Sequence, residues 1–421
     1  MDKVKQTVHK IVAVFTLGML FFMCCPIITG VVQKIFTISK SAETNQGTYP
    51  LENDSERAEY DIIRSVLDKI ETVEQRIEKK VTSSLPFRRS FILAKKACDK
   101  TIGLDMTTSL CAGENDLSSA SDIVLEYEDG YLGFIMDDID ISEKIESLIQ
   151  FGNQMKNEER NFLFFMVPGK YEGNEIYQDY SEEKTEEIVN AFETNEVDMI
   201  CLSEMINEGS VNSLFFKTDH HWLPSAGIWA DRVLCEALNE RYGYHFDTSI
   251  FDSVHYETKI VQERFLGSLG KKVTEVYCQK DDFPVILPRY DTELQVFMSK
   301  KGKSSCGTIE DTLLNYSAFD EESSYNGDIY SFYGYENQEL ITIHNNRIND
   351  GSNILMIKTS YANCMYPYLA AVVEDLYVVD LRFFSRSLQS YIQETNPDTV
   401  IIIYGVGGFE SGGGKETFDF R

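Results

Sequence analysis

The chain has 421 residues, room for one large α/β domain with insertions or for two modest domains. Its 43% hydrophobic content excludes a globally disordered polymer. With 68 acidic against 39 basic residues the formal charge is -29; such a surface repels nucleic-acid phosphates, so no nucleic-acid partner is expected.

In chain order, residues 1–10 carry Lys3, Lys5 and Lys10, which favour a cytoplasmic N-terminus. Residues 11–32 (IVAVFTLGMLFFMCCPIITGVV) hold no charge over roughly the 20 residues that a bilayer-crossing helix needs. No small-x-small cleavage site follows closely, so an uncleaved single-pass anchor is expected, with the rest of the chain extracytoplasmic. A buried soluble helix is the alternative. Residues 33–58 are polar and turn-rich and read as a linker. Residues 59–110 open with Ile63, Val66, Ile70, Val73 and Ile77 at three-four spacing, which fits either a short coiled-coil stalk or a helix packed on the body. The nine cysteines are odd in number and show no Cys-x-x-Cys, so they give neither a disulfide framework nor a zinc signature.

Residues 111–405 alternate between strand-like and helix-like stretches. NFLFFMV (Asn161 to Val167) and VDMICL (Val197 to Leu202) are continuous apolar runs, as in strands buried on both faces. Tyr180 to Thr194 and Pro224 to Tyr242 read as helices, and Ser213 to Phe216 as a strand leading into TDHHW. Residues 245–345 are aromatic and irregular, a strand-rich insertion between two halves of the α/β unit. The pattern then returns: NILMI from Asn353, a helix from Ala362 to Asp375, a strand from Tyr377 to Asp380, a helix from Ser387 to Glu394, and VIIIY from Val400. This alternation predicts a parallel sheet flanked by helices. The Gly-rich residues 406–421 read as a flexible tail.

Two clusters carry chemistry. Ser360 follows the strand NILMI and precedes a helix, where free N–H groups can hold an oxyanion. A helix N-cap is the plain alternative. Asp219, two residues before His221, can fix the tautomer of a base that activates a serine. A capping Asp with a surface His pair, or a metal site, are the alternatives there, and no third ligand set at helical or strand spacing supports a metal.

FFKTDHHW and LMIKTSYAN together resemble the DHHW protein family, which is related to the SGNH-hydrolase-like domains of the alginate O-acetylation proteins of the J and X type. LPFRRSFI (from Leu85), EDGYLGFI (from Glu128), FLFFMVPGK (from Phe162), FLGSLGKK (from Phe265), VVDLRFF (from Val378) and VIIIY extend the likeness. The resemblance implies an SGNH-hydrolase-like (flavodoxin-like) sheet, with Ser360 as nucleophile, His221 as general base and Asp219 orienting it. It offers Arg382, Tyr366 and Trp222 as substrate contacts and requires no cofactor and no metal. Gly334-Tyr335-Glu336-Asn337 stands where the family has Gly-Gly-Asn, a departure that bears on any oxyanion role for Asn337. The implied function is O-acetyl transfer or acetyl-ester hydrolysis on a cell-surface polysaccharide, with a membrane-bound acyltransferase supplying the acetyl group. A catalytically inert glycan-binding or assembly subunit of the same fold is the rival expectation, and a metal-dependent hydrolase a third.

Overall fold

A computed structural model describes residues 124–127, 130–171, 178–206, 211–320, 328–410 and 418–420. The apolar segment 11–32, the linker and the stalk lie outside the described residues. Among those described, no helix is long and apolar enough to cross a membrane. All of them fall within one compact unit, Arg89–Arg421.

The short strands β1 (Leu125–Glu126) and β2 (Leu132–Gly133) pair with each other. The main sheet is built from β3 (Asn161–Val167), β4 (Met199–Cys201) and six later strands, with β5 (Tyr256–Phe265) and β6 (Asp281–Pro288) forming a separate hairpin sheet. The later strands are β7 (Leu294–Met298), β8 (Lys303–Gly307), β9 (Leu340–Asn345), β10 (Asn353–Lys358), β11 (Asp375–Val379) and β12 (Thr399–Gly405). Their order across the sheet is β4-β3-β12-β10-β11-β9-β7-β8.

The continuous apolar runs are explained by this arrangement. In β3, Leu163, Phe165 and Val167 enter one core while Phe162, Phe164 and Met166 enter the other. Alternate side chains of β10 and β12 divide in the same way, so every residue of a central strand is buried on one face or the other. One face is covered by α1 (Ser142–Asn157), α2 (Ser181–Thr194) and a C-terminal helix at Leu388–Thr395. The opposite face is covered by α3 (Pro224–Tyr242) and by the insertion. Helix α3 has Pro224 in its first turn and ends on Gly243 at φ 75°.

The sheet is mixed rather than wholly parallel. Strands β4, β3, β12, β10 and β11 run parallel, whereas β9, β7 and β8 join antiparallel. The insertion therefore supplies three strands that extend the sheet beyond β11 and cover its free edge, as well as the β5–β6 hairpin. Of residues 406–421, read from sequence as a flexible tail, 406–410 and 418–420 are described. Phe409, Phe418 and Phe420 are buried, and Phe420 stacks on Phe151 of α1 at 4.5 Å between ring centroids.

Candidate active site

Strands β3, β12 and β10 end at one edge of the sheet, where open α/β folds place ligands. Ser360 lies two residues past β10 and opens a 3₁₀ turn, Ser360–Cys364, followed by the short helix Tyr366–Leu369. The single long helix expected from Ala362 to Asp375 does not form. The turn packs tightly on α3 because of Gly227, where a Cβ would lie 2.6 Å from Cys364 Sγ and 2.7 Å from its carbonyl oxygen.

The TDHHW segment is not the end of a strand. A 3₁₀ turn, Val211–Leu214, precedes it, and a single bridge between Phe215 and Trp222 closes residues 215–222 into a loop. Three groups then fix that loop. Lys170, just past β3 and 2% exposed, donates to the carbonyls of Phe216 (2.5 Å), Lys217 (2.9 Å) and Asp219 (3.1 Å). Asp281 of β6 accepts from the Lys217 and Thr218 amides and from Thr218 Oγ1. The Ser268 amide donates to Asp219 Oδ2 at 2.5 Å. That last contact depends on Gly267, where a Cβ would lie 2.2 Å from the Asp219 Cβ. Burial lowers Lys170 to about 7, against the pull of Asp219 and Asp281.

The three residues named from sequence meet in one line. Asp219 Oδ1 accepts from His221 Nδ1 at 2.6 Å and from the His221 amide at 2.8 Å. The other imidazole nitrogen, Nε2, is 2.8 Å from Ser360 Oγ. Burial acts to raise the Asp219 carboxyl, but His220, His221 and the hydrogen bonds from His221 and Ser268 outweigh it and hold Asp219 well below the usual carboxylate range. His220 is pulled below its ordinary value by burial first and then by His221, and its Nδ1 pairs with Ser268 Oγ at 2.8 Å. A hydroxyl, an imidazole and an ionised carboxylate so linked can move a proton off the hydroxyl and stabilise the imidazolium that results.

Two groups among the described residues bring three metal-type ligand atoms together: Asp219, His220 and His221, and separately His344, Glu374 and Asp375. In the first, Asp219 Oδ1 and His221 Nδ1 are already paired by a 2.6 Å hydrogen bond, an arrangement that suits proton transfer. In the second, His344 Nδ1 already pairs with Asp375 Oδ1 at 2.8 Å.

Trp222 and Tyr366 do not line the site as substrate contacts. Both are fully buried; Trp222 Nε1 donates to the Tyr361 carbonyl and the Tyr366 hydroxyl to that of Gly334. They tie the Ser360 turn to its surroundings. Arg382 is partly exposed and grips Asp380 with two nitrogens, at 2.8 and 2.6 Å. Asp380 is also 3.5 Å from the buried Lys358 ammonium, which donates to Asn363 Oδ1 (2.7 Å) and Asn337 Oδ1 (3.0 Å). The carbonyl of Asn337 is thereby committed to that network.

Sequence reasoning did not single out Tyr330, Lys170, Gly267, Ser268 or Lys358. All but Tyr330 lie inside segments that carried the family likeness; Tyr330 gave no signal of its own.

The loop geometry coincides with a family match: the model described as DHHW protein matches residues 188–379. The resemblance to the DHHW family is borne out. Among solved structures, the DHHW-like chain aligns with Bacillus cereus PatB1 in a structure with a sulfonyl adduct, at TM-score 0.55 and 19% identity, over 71% of this chain and 98% of that one. It aligns with a DHHW family protein from Eubacterium siraeum at TM-score 0.55 and 17% identity, over 72% of this chain and 95% of that one. The O-acetyltransferase domain of Pseudomonas putida AlgJ aligns at TM-score 0.42 and 13% identity, over 70% and 95%. At these identities the first two likenesses show a shared fold. No curated protein matches the chain by sequence.

Proposed function

We propose that this chain is an SGNH-hydrolase-like O-acetyltransferase or acetylesterase that modifies a cell-surface polysaccharide through an acetyl-serine intermediate. One observation carries the reading: His221 bridges Asp219 Oδ1 and Ser360 Oγ with its two ring nitrogens. In the reaction, Ser360 Oγ attacks the acetyl carbonyl while His221 Nε2 takes its proton. The imidazolium returns that proton to the departing alcohol. A sugar hydroxyl or water then attacks the acyl-serine, giving its proton to His221, and Ser360 leaves reprotonated. The first N–H groups of the turn opening at Ser360 are the donors we assign to the oxyanion.

The substrate class and cellular place belong to the same proposal. The resemblance to the DHHW family motivates the polysaccharide acceptor and a membrane-bound acyltransferase as acetyl donor. The apolar segment 11–32 motivates a single-pass anchor with the catalytic unit outside the membrane. PatB1 was captured with a sulfonyl adduct, so the same reagent class tests the nucleophile directly. The full chain, purified in detergent, is treated with a sulfonyl fluoride and assayed on an aryl acetate beside Ser360→Ala. Adduct mass and hydrolysis in the first and neither in the second support the reading. Neither in both would favour the inert glycan-binding subunit.

A further inference from the structure

Two aromatic rings lie against His221. The Tyr330 ring lies 4.0 Å from the imidazole centroid at an interplanar angle of 10°, and the His220 ring 3.8 Å away at 37°. The Tyr330 ring is thus stacked on the imidazole, whereas the His220 ring is tilted against it. Tyr330 belongs to the insertion and is 1% exposed. Its position is over-determined. It sits in the 3₁₀ turn Ile329–Phe332, its amide donates to Asp328 Oδ1 at 3.0 Å, and its ring meets Phe216 edge-on at 6.3 Å. Its hydroxyl reaches Cys364 Sγ at 3.1 Å, in the turn that Ser360 opens.

We propose that Tyr330 is a positioning residue for acyl transfer: its π face holds the imidazole plane so that Nε2 stays on Ser360 Oγ, and favours the imidazolium formed as that hydroxyl loses its proton. This rests on the serine-nucleophile reading. The proton moves from Ser360 Oγ to His221 Nε2, and the ring acquires a positive charge directly against the negative face of the Tyr330 quadrupole. The other groups around the imidazole are Asp219 and Ser360 at its nitrogens, His220 and Tyr361 beside it, and the titratable Asp328 and Lys170 farther out. None of these supplies a second parallel aromatic face with a strong quadrupole, since His220 is an imidazole held neutral by burial.

Three replacements separate this role from simple space filling. Tyr330→Phe keeps the ring, Tyr330→Leu keeps apolar bulk without it, and replacement of Tyr330 by pentafluorophenylalanine keeps the shape while reversing the quadrupole. Two readouts are taken: kcat and KM for acetyl-ester hydrolysis, and the NMR resonance of the proton between His221 Nδ1 and Asp219. We expect Tyr330→Phe to stay within about twofold of the parent, whereas the other two lose about tenfold in kcat at unchanged KM, equivalent to about 1.4 kcal/mol of barrier. The resonance should stay sharp with Phe and broaden with Leu. Full kcat and a sharp resonance in the Leu and fluorinated proteins would overturn the proposal. If Tyr330→Leu does not fold, the fluorinated protein against Tyr330→Phe decides alone. A clamp-dependent resonance in a chain without esterase activity would uphold the positioning and defeat only the catalytic reading.

Discussion

Ser360 Oγ and His221 Nε2 lie 2.8 Å apart although 139 positions separate them in the chain. The contact joins a turn at the end of β10 to a loop anchored by Lys170 and Asp281, so it exists only when the sheet, the loop and the insertion are all assembled.

On the proposed reading the two side chains form one proton-transfer unit, so Ser360→Ala, His221→Ala and the double variant should lose similar activity, each at least about 10³-fold in kcat. Steady-state kinetics on an aryl acetate check this. A double variant far worse than either single change would mean the two residues work independently.

Asp219→Asn should leave the fold intact but present a donor where the Nδ1 proton needs an acceptor. A kcat loss on the order of 10⁴ with little change in Tm is expected. Calorimetry beside kinetics separates this from a folding defect.

Gly267→Ala tests the close approach that aligns Asp219. A Cβ would lie 2.2 Å from the Asp219 Cβ and 2.5 Å from the Thr218 carbonyl oxygen, and the backbone carbonyl cannot swing aside as a flexible side chain could. We expect a stability loss of about 1–3 kcal/mol by denaturant titration, together with reduced kcat as the carboxylate shifts.

Lys358→Met removes a buried ammonium that binds Asn337 and Asn363 and faces Asp380. Arg382 still holds Asp380, so the cost should fall near about 3 kcal/mol, the low end for breaking a buried pair. The denaturation midpoint should drop at constant m-value.

Glu410 sets a pH dependence. Burial first, then Asp137 and Asp179, raise its carboxyl to about 7, against Lys144. The folded state thus keeps a proton that the unfolded chain has lost, and stability falls as pH rises from about 4.5 through 7. Glu410→Gln should remove that decline, giving a higher Tm than the parent at pH 8 and little difference at pH 4. Scanning calorimetry at the two pH values checks it; a parent that loses no stability relative to the variant across this range would refute it.

The sequence was most legible where one property decided the structure. NFLFFMV became β3 and Pro224–Tyr242 became α3 with the bounds read from the chain, because burial on both sheet faces and a well-marked helix start and stop leave little freedom. The pairing of Asp219, His221 and Ser360 was suggested by two short motifs. Other features depended on partners far along the chain. Residues 362–375 look helical by composition, yet the turn at Ser360 and its packing on α3 break them up. Trp222 and Tyr366 carry polar atoms that suit a ligand, but backbone carbonyls of neighbouring turns take them. Phe418 and Phe420 were hidden behind a glycine-rich composition that says nothing about where two aromatics can dock. Tyr330 is one of 23 tyrosines, and only the folded loop shows which of them stacks on His221.

The insertion has an evolutionary consequence. It contributes β7, β8 and β9 to the sheet and also the ring against His221, so it cannot drift or be shortened as a peripheral lid could. Mutations there that alter the packing against His221 are exposed to selection for the extended sheet at the same time. Homologues that diverge in this excursion should therefore carry compensating changes along β11, the strand that it shields.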